Sequence, residues 1–216
     1  MRLFGVLLVL VGCHGAGLVT PDSSTEPDVP PHSQGLTVTW RARPSLPGMI
    51  TQKITVTQAV FQVEHLQLVS DASSDHTTHS RLQLEWGSGG SPSDEVFEDA
   101  PGAHYQQILL DMRSDVRPPF SYTYQIQGTW QDDGDSGQFR IADPMTLDVP
   151  IACDVVLPAS GSVTVAIRLD LRNALNDIDF KSLPMDGSGV RVLIGGPKLA
   201  ELRDQLTHHA FAQDDD

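Results

Sequence analysis

The recurrence of an apolar residue at every second position in the second half of the chain constrains the fold more than any other feature. Apolar side chains occupy every second position from Met145 to Leu157, and again from Val163 to Leu171. Successive side chains of a β-strand point to opposite faces, so this pattern is typical of half-buried strands. It also predicts that Cys153 lies on the core face.

Shorter alternating runs occur earlier, and clusters of Gly, Pro and Asp at 87–94, 131–137 and 158–161 separate several of them. Many short strands divided by turn residues are typical of a sandwich or barrel. We therefore expect an all-β fold, an antiparallel β-sandwich of about eight or nine strands. The earlier runs are Leu36, Val38 and Trp40; Leu82, Leu84 and Trp86; Ile108, Leu110 and Met112; and Phe120, Tyr122, Tyr124, Ile126 and Trp130.

The segment 54–69 keeps this period but changes phase twice. Ile54 and Val56 share one parity, residues 59, 61 and 63 share the other, and Leu66 and Leu68 return to the first. Such slips indicate β-bulges or a strand that crosses between sheets, and a short helix over part of the segment is the alternative.

The end of the chain has a different period. Leu199, Leu202 and Leu206 form one apolar stripe on a helix that Pro197 can start. The sequence therefore predicts a domain over 36–216 that ends in a short C-terminal helix. We expect His208, His209 and the acidic tail 214–216 to extend into solvent.

The start of the chain carries the sharpest motif. Arg2 precedes an apolar run from Leu3 to Val11, and Leu10-Val11-Gly12-Cys13 resembles a bacterial lipobox. The resemblance implies that residues 1–12 are a signal peptide and that Cys13 becomes the lipidated first residue, carrying acyl chains such as palmitate. An ordinary secretory signal with a coincidental cysteine is the alternative, while the run is too short for a membrane span.

The lipobox resemblance also implies a location. Family sorting rules place Asp after the lipidated cysteine in proteins that stay at the inner membrane, whereas this chain has His14. We expect a lipoprotein held in the bilayer of the outer membrane by Cys13, facing the periplasm or the cell surface.

Residues 13–35 separate this anchor from the predicted domain. From Gly17 to Gly35 the chain is Pro, Ser, Asp, Thr and Gly with almost no large apolar side chain, which is typical of a flexible tether. Removal of 1–12 takes only Arg2 from the 14 Lys and Arg, against 28 Asp and Glu, so the net charge of −14 becomes about −15. Such a chain is not expected to bind nucleic acid.

Four histidines are candidate metal ligands. His76 and His79 lie in a polar H-x-x-H segment near Asp71 and Asp75, and further ligands would have to come from the strand histidines. On strand parity those residues face the sandwich interior or its rim. Copper or zinc is the expected metal, since both accept imidazole and carboxylate ligands. Local hydrogen bonding of each histidine is the alternative. The candidate set is His65, His76, His79 and His104.

The acidic segment 132–137 allows two interpretations. Its carboxylates around Gly134 resemble part of a calcium loop, but the distal Glu of an EF-hand is missing. A hairpin connection between two strands explains it more simply, because Asp and Gly favour turn geometry.

Motifs for catalysis are absent from the sequence. It contains no G-x-S-x-G, H-E-x-x-H or G-x-x-x-x-G-K-[ST] motif, and Cys153 falls within a strand run. With Cys13 lipidated, Cys153 has no partner for an intramolecular disulfide. The chain is therefore not expected to be an enzyme. A hydrolase acting on envelope polymers would require Ser, His and Asp side chains to cluster in one cleft.

Three segments carry a second resemblance. The order of three segments resembles that of uncharacterised bacterial β-sandwich lipoproteins. These are the segment 59–68, which precedes a polar loop, the entry to a strand at 101–105, and the run 163–180. The layout is also similar to that of the periplasmic copper-binding proteins associated with methanobactin, and it covers about residues 36–210. In that family His and a modified Trp serve the metal, so the resemblance implies a copper-binding alternative without assigning ligands here.

Together these observations predict a membrane-tethered envelope lipoprotein whose sandwich is a non-catalytic binding or structural module for an envelope partner. The alternative is a periplasmic copper- or zinc-binding protein that uses the loop and strand histidines.

Overall fold

The computed structural model describes residues 35–71, 78–87, 89–98, 100–114, 121–208 and 210–214. Twelve strands in this part of the chain are joined by two α-helices and one turn of 3-10 helix. The strands are β1 (Gly35–Arg43), β2 (Gly48–Thr51), β3 (Ile54–Ser70), β4 (Thr78–Trp86), β5 (Glu95–Phe97), β6 (Ala103–Met112), β7 (Tyr124–Asp132), β8 (Asp135–Asp143), β9 (Leu147–Leu157), β10 (Ser162–Asp170), β11 (Arg191–Leu193) and β12 (Ala210–Asp214). The helices are α1 (Leu171–Asn176), the 3-10 turn (Phe180–Ser182) and α2 (Pro197–His208).

The first sheet has four strands in the order β12-β10-β1-β5. β1 and β10 are parallel and pair from Gly35 with Ser162 to Arg43 with Asp170. The apolar residues that the alternation assigns to one face of β1, Leu36, Val38 and Trp40, are all buried.

The second sheet has eight strands, and the long strand β3 organises it. Along one edge β3 pairs with β7 over its first half and with β6 over its second half, while β2 and β4 pair along the opposite edge. β8 and β11 continue the sheet beyond β7, and β9 continues it beyond β6. Two groups of strands therefore share β3.

The two phase slips of the sequence are β-bulges in β3. The register shifts between Val56 and Gln58 against β7, and between Val63 and His65 against β6. A bulge inserts one unpaired residue and reverses which side chains face the core. The apolar residues on both sides of each slip are accordingly buried, and no helix interrupts the strand.

The structure confirms the all-β sandwich with a short C-terminal helix and corrects two details. Twelve strands replace the expected eight or nine, because β2, β5, β11 and β12 have only three to five residues each and give little periodic signal. The sheets are also mixed, since the pairs β1–β10 and β11–β8 are parallel.

The end of the second long alternating run is helical. Leu171 continues the strand parity of β10 but begins α1, where Leu171, Ala174 and Leu175 are buried on one face. The Asp170 carboxylate caps this helix by accepting hydrogen bonds from the backbone N–H of Arg172 and Asn173. The capping residue thus overrides the alternation.

The expected C-terminal helix begins at Pro197 and buries Leu199, Leu202 and Leu206. An ion pair between the partly exposed Arg203 and the buried Asp143 fixes it to the sheet. The Arg203 guanidinium donates from Nε to Asp143 Oδ2 at 2.9 Å and from Nη2 to Oδ1 at 3.1 Å. Asp143 is fully buried and also accepts from the Met145 backbone N–H at 2.9 Å. We call Asp143 and Arg203 the helix clasp.

The residues after α2 do not all extend into solvent as expected. β12 pairs antiparallel with β10, from Leu169 with Ala210 to Val165 with Asp214. The backbone edge of β10 offers unpaired hydrogen-bonding groups that favour such an added strand. Residues 209, 215 and 216 lie outside the described residues.

Two further predictions concern single residues. Cys153 is partly buried against the core, as its parity predicts, and its Sγ donates to the Tyr105 carbonyl oxygen at 3.4 Å. Met145 is 57% exposed and precedes β9, because the strand begins at Leu147. No helix among the described residues is long and apolar enough to span a bilayer.

Candidate functional site

Two of the predicted site residues lie outside the described part of the chain. These are Cys13, the predicted lipidation site, and His76, one of the four candidate metal ligands. The signal peptide 1–12 and the tether up to residue 34 are also outside it. Both residue assignments stay predictions.

His65 lies on the outer face of the second sheet. The bulge between Val63 and His65 reverses the parity of β3, so His65 points away from the interior where Val63 is buried. Its Nδ1 is 3.4 Å from Oδ2 of Asp111, its cross-strand neighbour on β6.

His79 lies on the opposite face. It pairs with the buried Leu66 on β3, one position from His65, and consecutive strand residues face opposite sides. Its ring stacks on Phe97 with centroids 3.9 Å apart, and its Nδ1 is 2.9 Å from Glu95 Oε2. Since Glu95 and Phe97 belong to β5, His79 links the two sheets.

His104 also faces outward, for the same reason as His65. Parity alone would place it with Ile108, but the register shifts between Tyr105 and Gln107, so Tyr105 takes the buried position. The His104 Nε2 is 2.6 Å from Asp154 Oδ1, and its backbone N–H donates to Asp71 Oδ1 at 3.2 Å.

The described histidines therefore do not converge. His65 and His79 lie on opposite faces, and seven positions along β6 separate His104 from Asp111, the partner of His65. At about 3.3 Å per strand residue, seven positions place His104 about 20 Å from Asp111. Imidazoles that share a metal each bind it at about 2 Å. Among the residues that the structure describes, no group of three or more His, Cys, Asp or Glu is placed to hold a metal ion.

A groove of about 490 Å³ crosses the outer face of the second sheet at His65. Its walls come from four neighbouring strands, so its side chains are held on a rigid backbone. We call it the outer groove. Its lining side chains include Thr78 on β4, His65 and Gln67 on β3, Leu109 and Asp111 on β6, and Asp148 on β9.

Asp111 is hydrogen-bonded at both of its carboxylate oxygens. Arg113 Nε donates to its Oδ1 at 2.8 Å, and His65 contacts Oδ2. Partial burial acts to raise the pKa of Asp111, but the hydrogen bonds from Arg113 and His65 outweigh burial and hold the pKa below its usual value. The groove therefore presents an ionised Asp111 carboxylate at neutral pH, with the His65 ring 3.4 Å from it.

Ser80, His65 and Asp111 form one row across three strands. Ser80 and Asp111 are the register partners of His65 on β4 and β6. The order of side-chain types is that of a serine nucleophile, a base and an orienting carboxylate. The hydrogen-bonded part of the row is His65–Asp111, and both Ser80 and His65 are exposed on the sheet face.

Sequence reasoning selected His65 but missed its partners. Asp111 and Asp148 occupy the polar positions of alternating strands, which face outward. At such a position a carboxylate is expected to be an ordinary solvated side chain. The signal that could have found them is cross-strand register, since Asp111 pairs with both His65 and Asp148. Register between distant strands is not visible in a single sequence.

No family model, curated protein or solved structure matches this chain.

Proposed function

We propose that this chain is a bacterial envelope lipoprotein, tethered to the outer membrane through Cys13, whose sandwich binds an envelope partner without catalysis through the outer groove. The observation that carries the binding role is the groove itself. It combines hydrogen-bond donors and acceptors with two carboxylates, those of Asp111 and Asp148, on four paired strands.

The rigidity of this surface supports a binding role. Side chains on paired strands lose less freedom when a ligand binds than side chains on loops, so more of each contact appears as affinity. Asp111 is already oriented by two neighbours, while His65 and Thr78 are exposed enough to reach a partner.

The tether is tested by Cys13→Ser followed by membrane fractionation. We expect the wild-type chain in the outer-membrane fraction and the variant in the soluble fraction, because the acyl chains supply the membrane affinity. Membrane attachment that survives the substitution would contradict the lipoprotein assignment.

The groove is tested by photocrosslinking in cells from two exposed positions. A photoreactive residue replaces Thr78 at the groove in one strain, and Asp204 on the exposed side of α2 in the other. We expect a discrete crosslinked product from position 78 alone, which His65→Ala and Asp111→Asn weaken. Equal products from both positions, or none from position 78, would argue against the groove as the binding surface.

The non-catalytic assignment is tested at the row that contains Ser80. A fluorophosphonate probe labels activated serines, and we expect it to leave this chain unlabelled because the hydrogen bond within the described row joins His65 to Asp111 and none joins Ser80 to His65. Labelling that disappears in Ser80→Ala would establish a hydrolase instead.

A further inference from the structure

A second candidate site lies at the end of the second sheet where β2, β7 and α1 meet. A cleft of about 270 Å³ is bordered there by the β2–β3 turn, the end of β7 and the segment from α1 to the 3-10 turn. It shares no residue with the outer groove. We call it the end cleft.

The β7–β8 hairpin forms ion pairs with residues on two sides of the end cleft. Its two-residue turn, Asp133-Gly134, has positive φ at both positions, which confirms the hairpin interpretation of the acidic segment. Asp132 and Asp135 face each other at the base of this hairpin. Lys53 of the β2–β3 turn pairs with Asp132.

Lys181 of the 3-10 turn makes the matching pair with Asp135. Two ammonium groups thus stand on different walls of the end cleft, each hydrogen-bonded to an aspartate of the same hairpin. These hydrogen bonds raise the pKa of both lysines, so both stay charged at neutral pH.

The floor of the end cleft is apolar and aromatic. Ile54, Trp130, Ile178 and Phe180 line it and are buried in the core. The Phe180 ring lies against Phe139 of β8 with centroids 4.3 Å apart. Trp130 Nε1 is buried and has no hydrogen-bond partner within the described part of the chain.

The rim of the end cleft presents groups that only donate next to groups that only accept. Lys53 and Lys181 are donors, while Asp132, Asp177 and Asp179 are acceptors. A simple anion would meet three carboxylates, and a simple cation would meet two ammonium groups. A ligand with neighbouring hydroxyl groups satisfies both kinds of rim group, because each hydroxyl donates and accepts.

Size and floor select among such ligands. Pockets for drug-sized ligands begin near about 300 Å³, so the end cleft suits a smaller molecule. An aromatic floor favours a ligand with an apolar face. We propose that the end cleft binds a neutral sugar ring, whose C–H face covers the Trp130 and Phe180 floor while its hydroxyls contact Lys53, Lys181 and the rim aspartates.

The test follows the indole N–H signals of the full chain by NMR, in a detergent without a sugar headgroup. Methyl glycosides of glucose, galactose, mannose and N-acetylglucosamine are added separately to about 50 mM, which detects a Kd near 1 mM. We expect at least one of them to shift the Trp130 signal in a saturable manner. The signals of Trp40 and Trp86, which are buried in β1 and β4, serve as internal references.

Variants of exposed rim residues then assign the contact. We expect Lys53→Gln and Asp177→Asn each to weaken sugar binding about tenfold, the effect of losing one hydrogen bond to a charged group. Asp204→Asn is the matched control, since Asp204 is exposed on α2 beside His208 and does not line the cleft. The proposal is overturned if no glycoside moves the Trp130 signal, if sulfate or spermidine moves it as far, or if Asp204→Asn weakens binding as much as Asp177→Asn.

Discussion

The helix clasp and the outer groove each contain a hydrogen-bonded carboxylate, yet the two carboxylates differ in hydration. Asp143 of the clasp is fully buried, and Arg203, whose side chain is 27% exposed, meets both of its carboxylate oxygens. In the groove, the side chains of His65 and Asp111 keep 48% and 22% of their surface exposed. A buried pair cannot lose one partner without leaving a charge in the core, whereas a hydrated pair can exchange a partner for a ligand group. The clasp therefore contributes to stability, whereas the groove is the surface that we propose for recognition.

The largest expected effect comes from breaking the clasp. Arg203→Met should lower the free energy of unfolding by about 3–5 kcal/mol, because it leaves the Asp143 carboxylate buried and unpaired. Chemical denaturation measures the loss. Lys198→Met on the same helix is the control and should change stability by no more than about 0.5 kcal/mol, since its ion pair is exposed. A loss below about 1 kcal/mol for Arg203→Met would remove the distinction between the two regions.

Alkaline pH should weaken the same region through Tyr124. Burial raises the pKa of Tyr124 well above its usual value, and the neighbouring Asp143 carboxylate raises it further. The folded state therefore holds the phenolic proton more firmly than the unfolded chain, whose tyrosines titrate near pH 10. Stability should be complete below about pH 10 and fall as the pH rises above it.

Unfolding free energies measured from pH 8 upward should show this loss in the wild type. Tyr124→Phe should remove part of the alkaline slope, while Tyr122→Phe, at a half-buried position outside the clasp, should keep it. An unchanged slope in Tyr124→Phe would show that this phenol does not titrate with unfolding.

The outer groove should respond to acid, and more weakly. The pKa of Asp111 is lowered in the folded state, because hydrogen bonds from Arg113 and His65 outweigh its burial. Its contribution is therefore present above the unfolded value near pH 4 and is lost as the pH falls through the folded value. Asp111→Asn should flatten this acid limb and cost at most about 1 kcal/mol at neutral pH. Asp154→Asn, whose carboxylate pairs with His104 elsewhere on the same face, is the control, and an equal effect of both variants would exclude a specific His65–Asp111–Arg113 network.

The smallest expected effect is that of added metal. Each described histidine has its own carboxylate neighbour, and the proposed binding role needs no ion. Copper or zinc should shift the Tm of the untagged chain by less than about 1 °C, whereas a filled site at 100 times its Kd would add about 2.7 kcal/mol. Stoichiometric metal that is lost in His65→Ala, His79→Ala or His104→Ala would favour the copper- or zinc-binding alternative.

The sequence pattern predicted those strands, turns and helices whose signals lie within the element itself. The alternation gave β9 and β10, the Asp-Gly pair gave the β7–β8 turn, and Pro197 with its leucine stripe gave α2. α1 was missed because Leu171 fits both the strand parity and the helix, and the Asp170 cap decides between them.

The candidate sites depend on information that a single sequence does not carry locally. Whether His65 and His104 face inward or outward depends on bulges beside them, and a bulge reverses parity without any change in residue type. Asp111 reaches His65, and Lys181 reaches the base of the hairpin, only through contacts between distant segments. Those contacts depend on how the whole chain packs, and no single segment of the sequence determines them.

The pairing of β1 with β10 also sets an order of events in synthesis. β1, the first of the described strands, has one short partner in β5 and its longer partner in β10. Until residues 162–170 are made, most of β1 lacks a strand to pair with. Contacts between such distant segments slow folding and prolong exposure of apolar surface. β1 can therefore complete its pairing only after most of the chain has been made, and the C-terminal part of the chain decides when this strand folds.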